Sequence, residues 1–146
     1  MKYMEEENML LQELNRKEKL KFLDLALHMI VADGPINDIE KKLLDTFIAE
    51  IGVDITDEYS FTLSSDLDIT LQYLSEKPIK IRNIIFLNLL HLTLFEDFYT
   101  ISEHFLLENI QRQIGVSDDT KKKLMRLIYD QEDIMAKITK VVNETK

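Results

Sequence analysis

The sequence predicts an all-α protein: a single-domain helical bundle of about six to seven helices, built from two pseudo-twofold-related helical hairpins. Three observations carry this reading. Apolar residues recur at spacings of three and four along most of the chain, as helices with buried faces require. The residues that interrupt helices are scarce, with three Gly and two Pro in 146 residues, so the elements should be few and long. No segment alternates apolar and polar residues long enough for a strand; "SFTLSS" (60–65) is the best candidate, and it is short.

The elements follow in order. A short helical piece is expected at about 5–14. The first main helix starts at Asn15-x-x-Glu18, a capping pattern, and carries Leu20, Leu23, Leu27, Ile30 and Val31 on its core face, with Gly34-Pro35 ending it. The second opens with Asn37-x-x-Glu40, runs through Leu43, Leu44, Phe47 and Ile48, and stops at Gly52. Residues 53–65 are rich in turn formers. A helix near 66–76 ends at Lys77-Pro78, and Pro78 suits the first turn of a long apolar helix beginning there. Thr100-x-x-Glu103 caps the next helix, which stops at Gly115. Ser117 caps the last, about 118–143, with Asp118 and Asp119 in its first turn where the helix dipole favours anions. Leu124, Leu127, Ile128, Ile134, Met135 and Ile138 line one side of it.

Composition narrows the function classes. The apolar fraction of 45% is ordinary for a globular domain. At this length folding buries roughly 70% of the unfolded chain's surface, so a core forms without staples. The net charge of −9 argues against nucleic acid and anionic membranes as partners, since phosphate recognition needs clustered Lys and Arg. The one basic run, Lys121-Lys122-Lys123 with Arg126, follows Asp118-Asp119 and reads as a solvated helix face. There are no cysteines, which excludes disulfides and thiolate metal sites. "MKYMEEENML" has neither a basic start nor a continuous apolar run, so no signal peptide is expected and a cytoplasmic location is. The most apolar stretch, 79–98, is broken by Lys80, Arg82, Asn83, Asn88 and His91 and reads as a helix buried on most sides rather than a membrane span.

An ungapped internal repeat organises the chain. "LHMIVADGPINDIEKKLLDTFIAEIGV" (27–53) lies on "LHLTLFEDFYTISEHFLLENIQRQIGV" (90–116), an offset of 63 residues, as from His28 to His91. Leu27/Leu90, His28/His91, Glu40/Glu103, Leu43/Leu106, Leu44/Leu107 and the Ile-Gly-Val endings are identical; Asp33/Glu96 and Asp45/Glu108 keep their charge. The two copies, about 20–53 and 83–116, make two similar hairpins whose apolar sides pack face to face.

The chemistry candidates sit at the hairpin corners. Asp33 ends one helix and Glu40 sits in the first turn of the next; Glu96 and Glu103 hold the same register in the second copy, with Asp97 beside them. Carboxylates are hard ligands suited to Ca²⁺, Mg²⁺ or Mn²⁺. Glu40 and Glu103 are also cap residues, which is reason enough for their presence. Asp33 is different, because a negative charge near a helix C-terminus is unfavourable unless something compensates it. EF-hand spacing, His-Glu-x-x-His and the Glu-x-x-His of di-iron bundles are all missing. His28 and His91 lie inside apolar helices. They read as core histidines, with Asp24 placed to orient His28, or as a pair approaching across the pseudo-axis. Phosphate loops, nucleophile elbows and a Cys nucleophile are missing too, so no enzyme is expected.

Ala32-Asp33-Gly34, followed by Glu40, Leu43, Leu44 and Ile51-Gly52-Val53, resembles the TerB-like (tellurite-resistance protein B) family, over roughly 20–116. The resemblance implies an all-α fold of repeated hairpins and divalent-cation binding by Asp33 and Glu40. In the second copy Glu96 and Asp97 stand in place of the Asp-Gly, and Glu103 is retained. It also implies a non-catalytic module in a bacterial stress-response or tellurite-resistance-type setting. Two alternatives stand beside it: a metal-free protein–protein interaction or scaffold module, co-chaperone-like and with a homo-oligomer as one form, and a metal-dependent hydrolase.

Overall fold

A computed structural model of the chain describes residues 10–31, 38–52, 66–94 and 100–144, with positions 39, 40, 43 and 50 described by their backbone alone. The described residues form six α-helices and one short 3-10 turn at Leu11–Glu13, with no strand. The helices are α1 (Arg16–Val31), α2 (Asp38–Ile51), α3 (Leu67–Ser75), α4 (Ile79–Leu94), α5 (Ile101–Ile114) and α6 (Asp118–Val142). The Gly34-Pro35 stop, the turn-rich stretch 53–65 and "SFTLSS" lie outside the described residues. The chain divides into two compact units, Met1–Val116 and Ser117–Lys146.

Local chemistry starts and stops these helices where the capping patterns fall. The Asn15 N–H donates to Glu18 Oε1 at 2.8 Å, and the Glu18 N–H returns a bond to Asn15 Oδ1 at 2.8 Å. That reciprocal box satisfies two orphan donors at the start of α1. Thr100 and Glu103 build the same device before α5, and the Ser117 hydroxyl accepts the Thr120 N–H at the start of α6. Pro78 stands one residue ahead of α4, its carbonyl accepting from Ile81 and Arg82. Gly52 and Gly115 close α2 and α5 with positive φ, a conformation that costs a residue with a Cβ.

The internal repeat is written into the secondary structure. Both α1 and α4 have 16 residues, both α2 and α5 have 14, and the bounds of each pair coincide at the spacing that separates His28 from His91. The 3-10 turn before α1 packs on α2, and α3, which precedes α4, packs on α5. Within Met1–Val116, α1 is the hub and touches α2, α3, α4 and α5. Its residues 22–27 are buried on every side, as are 84–86 and 88–93 of α4. Phe22 of α1 meets Phe47 of α2 edge to face at 5.1 Å between centroids. Phe86, Leu89, Leu71, Leu74 and Ile110 fill the rest of the same core.

Burial on all sides obliges polar groups to find local partners. The Asn88 amide donates back to the Ile84 carbonyl at 2.8 Å, and the Thr93 hydroxyl to that of Leu90 at 2.9 Å. Arg82 works over a longer range. Its Nη1 donates to the carbonyls of Ile114 and Gly115 at 3.0 and 3.1 Å, while its Nε donates to the Lys77 carbonyl. A guanidinium thereby closes the C-terminus of α5, where carbonyls lack helical partners and the dipole is negative.

Candidate functional site

Of the four expected ligands, Glu103 is the one whose side chain the structure describes. It is 2% exposed, and its carboxylate serves the cap. Oε1 accepts the Thr100 hydroxyl at 3.1 Å and the Thr100 N–H at 3.4 Å. The Glu103 N–H donates in turn to the Thr100 hydroxyl oxygen at 3.2 Å. Glu103 Oε1 thus serves as the capping acceptor at the start of α5. Asp33 and Glu96 lie outside the described residues; Glu40 falls in the first turn of α2, its side chain likewise outside them. Among the described residues no three His, Cys, Asp or Glu come together as a group able to hold a metal ion.

The two core histidines differ. Burial holds His91 well below the usual range, to about 4, so its ring is neutral at physiological pH. His28 is half-buried, and its Nε2 is enclosed without a hydrogen-bond partner, so Asp24 does not bond that nitrogen.

Two features escaped the sequence reading. One is the Arg82 clamp; a lone Arg in the first turn of an apolar helix was its signal. The other is a cationic cluster on Tyr73 of α3. The ammonium groups of Lys17 and Lys77 each lie 4.5 Å from the ring centroid, and that of Lys21 lies 6.0 Å away. Lys77 also pairs with Glu18 at 3.6 Å. Its pKa is raised, first by hydrogen bonding to Tyr73 and then by charge attraction. Ammonium ions over an aromatic face are attracted by its quadrupole. Here they tie α1 to α3 across residues far apart in sequence.

The last helix is the other candidate. α6 is 25 residues long, and every residue from 133 to 144 is exposed. That half still carries Ile134, Met135, Ile138, Val141 and Val142, repeating at three and four. No helix among the described residues is long and apolar enough to cross a membrane. Comparison with known proteins finds no matching family model, no matching curated protein and no matching solved structure.

Proposed function

We propose that this chain is a non-catalytic helical interaction module in which Met1–Val116 forms a self-contained core and α6 is the element offered to another protein. The observation that carries the reading is the exposed apolar stripe of α6. Solvated faces of ordinary helices are polar, and an apolar stripe of this length marks a protein-binding surface. A photo-crosslinking residue at Ile138, on the stripe, is expected to yield protein adducts in cells. The same residue at Lys140, on the polar side, is expected to yield few. Equal yields from both positions, or none from Ile138, would remove the reading.

A second reading keeps the divalent cation and the TerB-like setting. It is supported by the sequence register, in which Asp33 and Glu40 match Glu96 and Glu103 at the same spacing that relates the bounds of α1 to α4 and of α2 to α5. In this reading Asp33, Glu40, Glu96 and Glu103 would carry the coordination, Glu103 with its Oε1 also capping α5. Tight binding to the native state raises the melting temperature at saturating ion. Ca²⁺, Mg²⁺ and Mn²⁺ are therefore compared with chelator in wild type and in Asp33→Ala. A shift lost in Asp33→Ala supports the site; no shift in wild type, or the same shift in the variant, removes it.

A further inference from the structure

We infer that α6 pairs with α6 of a second copy of this chain, antiparallel, with the dyad passing between residues 132 and 133. The inference rests on the docking role proposed for this helix and assigns its occupant.

Leu124, Leu127, Gln131, Ile134, Ile138 and Val141 recur at alternating spacings of three and four, the a/d seam of a two-helix coiled coil. Four of them are open to solvent: Leu127 (61%), Ile134 (50%), Ile138 (40%) and Val141 (65%). The stated dyad places Leu124 opposite the second copy's Val141, Leu127 opposite its Ile138, and Gln131 opposite its Ile134.

The flanking charges decide direction. The residue just before each a position of α6 is Lys123, Asp130 and Lys137, alternating in sign every seven residues; Glu144, two residues past the helix end, continues the alternation. In an antiparallel pair these positions face one another across the seam. The stated dyad matches Asp130 with Lys137, twice by symmetry, and brings Lys123 alongside the helix end that carries Glu144. Sliding by one heptad either way sets Asp130 against Asp130 and Lys123 against Lys137, or Lys137 against Lys137 and Asp130 against Glu144. Both slips are repulsive. A parallel pair would face Lys123, Asp130 and Lys137 with Ile128, Met135 and Val142, gaining no ion pair. Lys123 already lies 3.0 Å from Asp119 on its own helix, but that pair is about three-quarters exposed, and such pairs are weak.

The test uses the full chain in sedimentation equilibrium across the micromolar range. A monomer–dimer equilibrium is expected for wild type, and loss of the dimer for Ile134→Asp, whose exposed position leaves the helical signal and melting of the core unchanged. Asp130→Lys replaces two attractive pairs with two repulsive ones and should weaken association about tenfold. The double variant Asp130→Lys/Lys137→Asp should restore it. The chain has no cysteine, so introduced ones report direction. Lys123→Cys chains mixed with Glu144→Cys chains should form a disulfide-linked heterodimer, and Lys123→Cys alone should not cross-link. A wild type that stays monomeric, an unweakened Asp130→Lys, or cross-linking of Lys123→Cys with itself would overturn the inference. If the chain is monomeric while Ile138 cross-links to other proteins, self-pairing fails and the docking role stands; if Ile138 cross-links to nothing, both fail.

Discussion

α4 and α6 are both long helices of one small protein, and they use apolar residues in opposite ways. α4 is apolar around nearly its whole circumference, and nine of its residues are buried. Asn88 and Thr93 therefore turn back onto the carbonyls of their own helix, and His91 is held neutral. α6 confines its apolar residues to one stripe and leaves much of that stripe in water. The contrast separates two meanings of hydrophobicity. A helix apolar on all sides has a place inside the fold; a helix apolar on one exposed side implies a surface still to be covered.

Truncation of the core should show the contrast at its widest. Phe86→Ala in α4 is expected to cost about 3–5 kcal/mol, since a fully buried ring leaves a cavity the surroundings fill only partly. Urea denaturation measures it, and a loss below 1 kcal/mol would mean that α4 is not the centre of the core.

Acid comes next. The His91 ring titrates near 4 in the folded chain and near 6.5 when unfolded. Between those values the unfolded chain binds the extra proton, so stability falls as pH drops from about 6.5 to about 4. The stabilisation present at neutral pH and lost on acidification is on the order of 3 kcal/mol. Urea midpoints at neutral and acid pH, compared between wild type and His91→Gln, isolate this contribution. Equal losses in the two proteins would contradict it.

A smaller effect is expected at the end of α5. Gly115 has φ +76°, and a Cβ there would stand 2.9 Å from Arg82 Nη1. Gly115→Ala should cost about 2 kcal/mol through left-handed strain and displacement of the guanidinium. Arg82→Met, which keeps the stem and drops the clamp, should remove part of that penalty; full additivity of the two variants would show that the contact is immaterial.

The smallest effect belongs to α6. Ile138→Ala should change the stability of the monomer by less than about 0.5 kcal/mol, as for other exposed positions. A loss comparable with that of Phe86→Ala would erase the contrast between the two helices.

Much of the fold was legible because its signals are local. Asn15 with Glu18, Thr100 with Glu103, and Ser117 with Thr120 each act across three residues, so a capping pattern predicts the bond itself. The repeat was legible because it runs without gaps, and the bounds of α1 with α4 and of α2 with α5 match at its spacing. The candidate site was less so. Glu103 stood in register with Glu40 as a possible ligand, but register carries no information about how deeply a carboxylate is buried or which donor claims its oxygen. Arg82 and Ile114 are 32 positions apart, and no local pattern couples them.

By itself, then, the sequence determined the helical class, the capped starts of α1, α5 and α6 and the charge alternation along α6, because each depends on residues within a turn or a heptad of one another. The tertiary structure alone decided that α1 is the hub, that Arg82 closes α5, that lysines from α1 and the α3–α4 connection gather on Tyr73, and that Leu127, Ile134, Ile138 and Val141 remain in water. Burial is a property of what packs against a residue, and periodicity names the face without naming its neighbour.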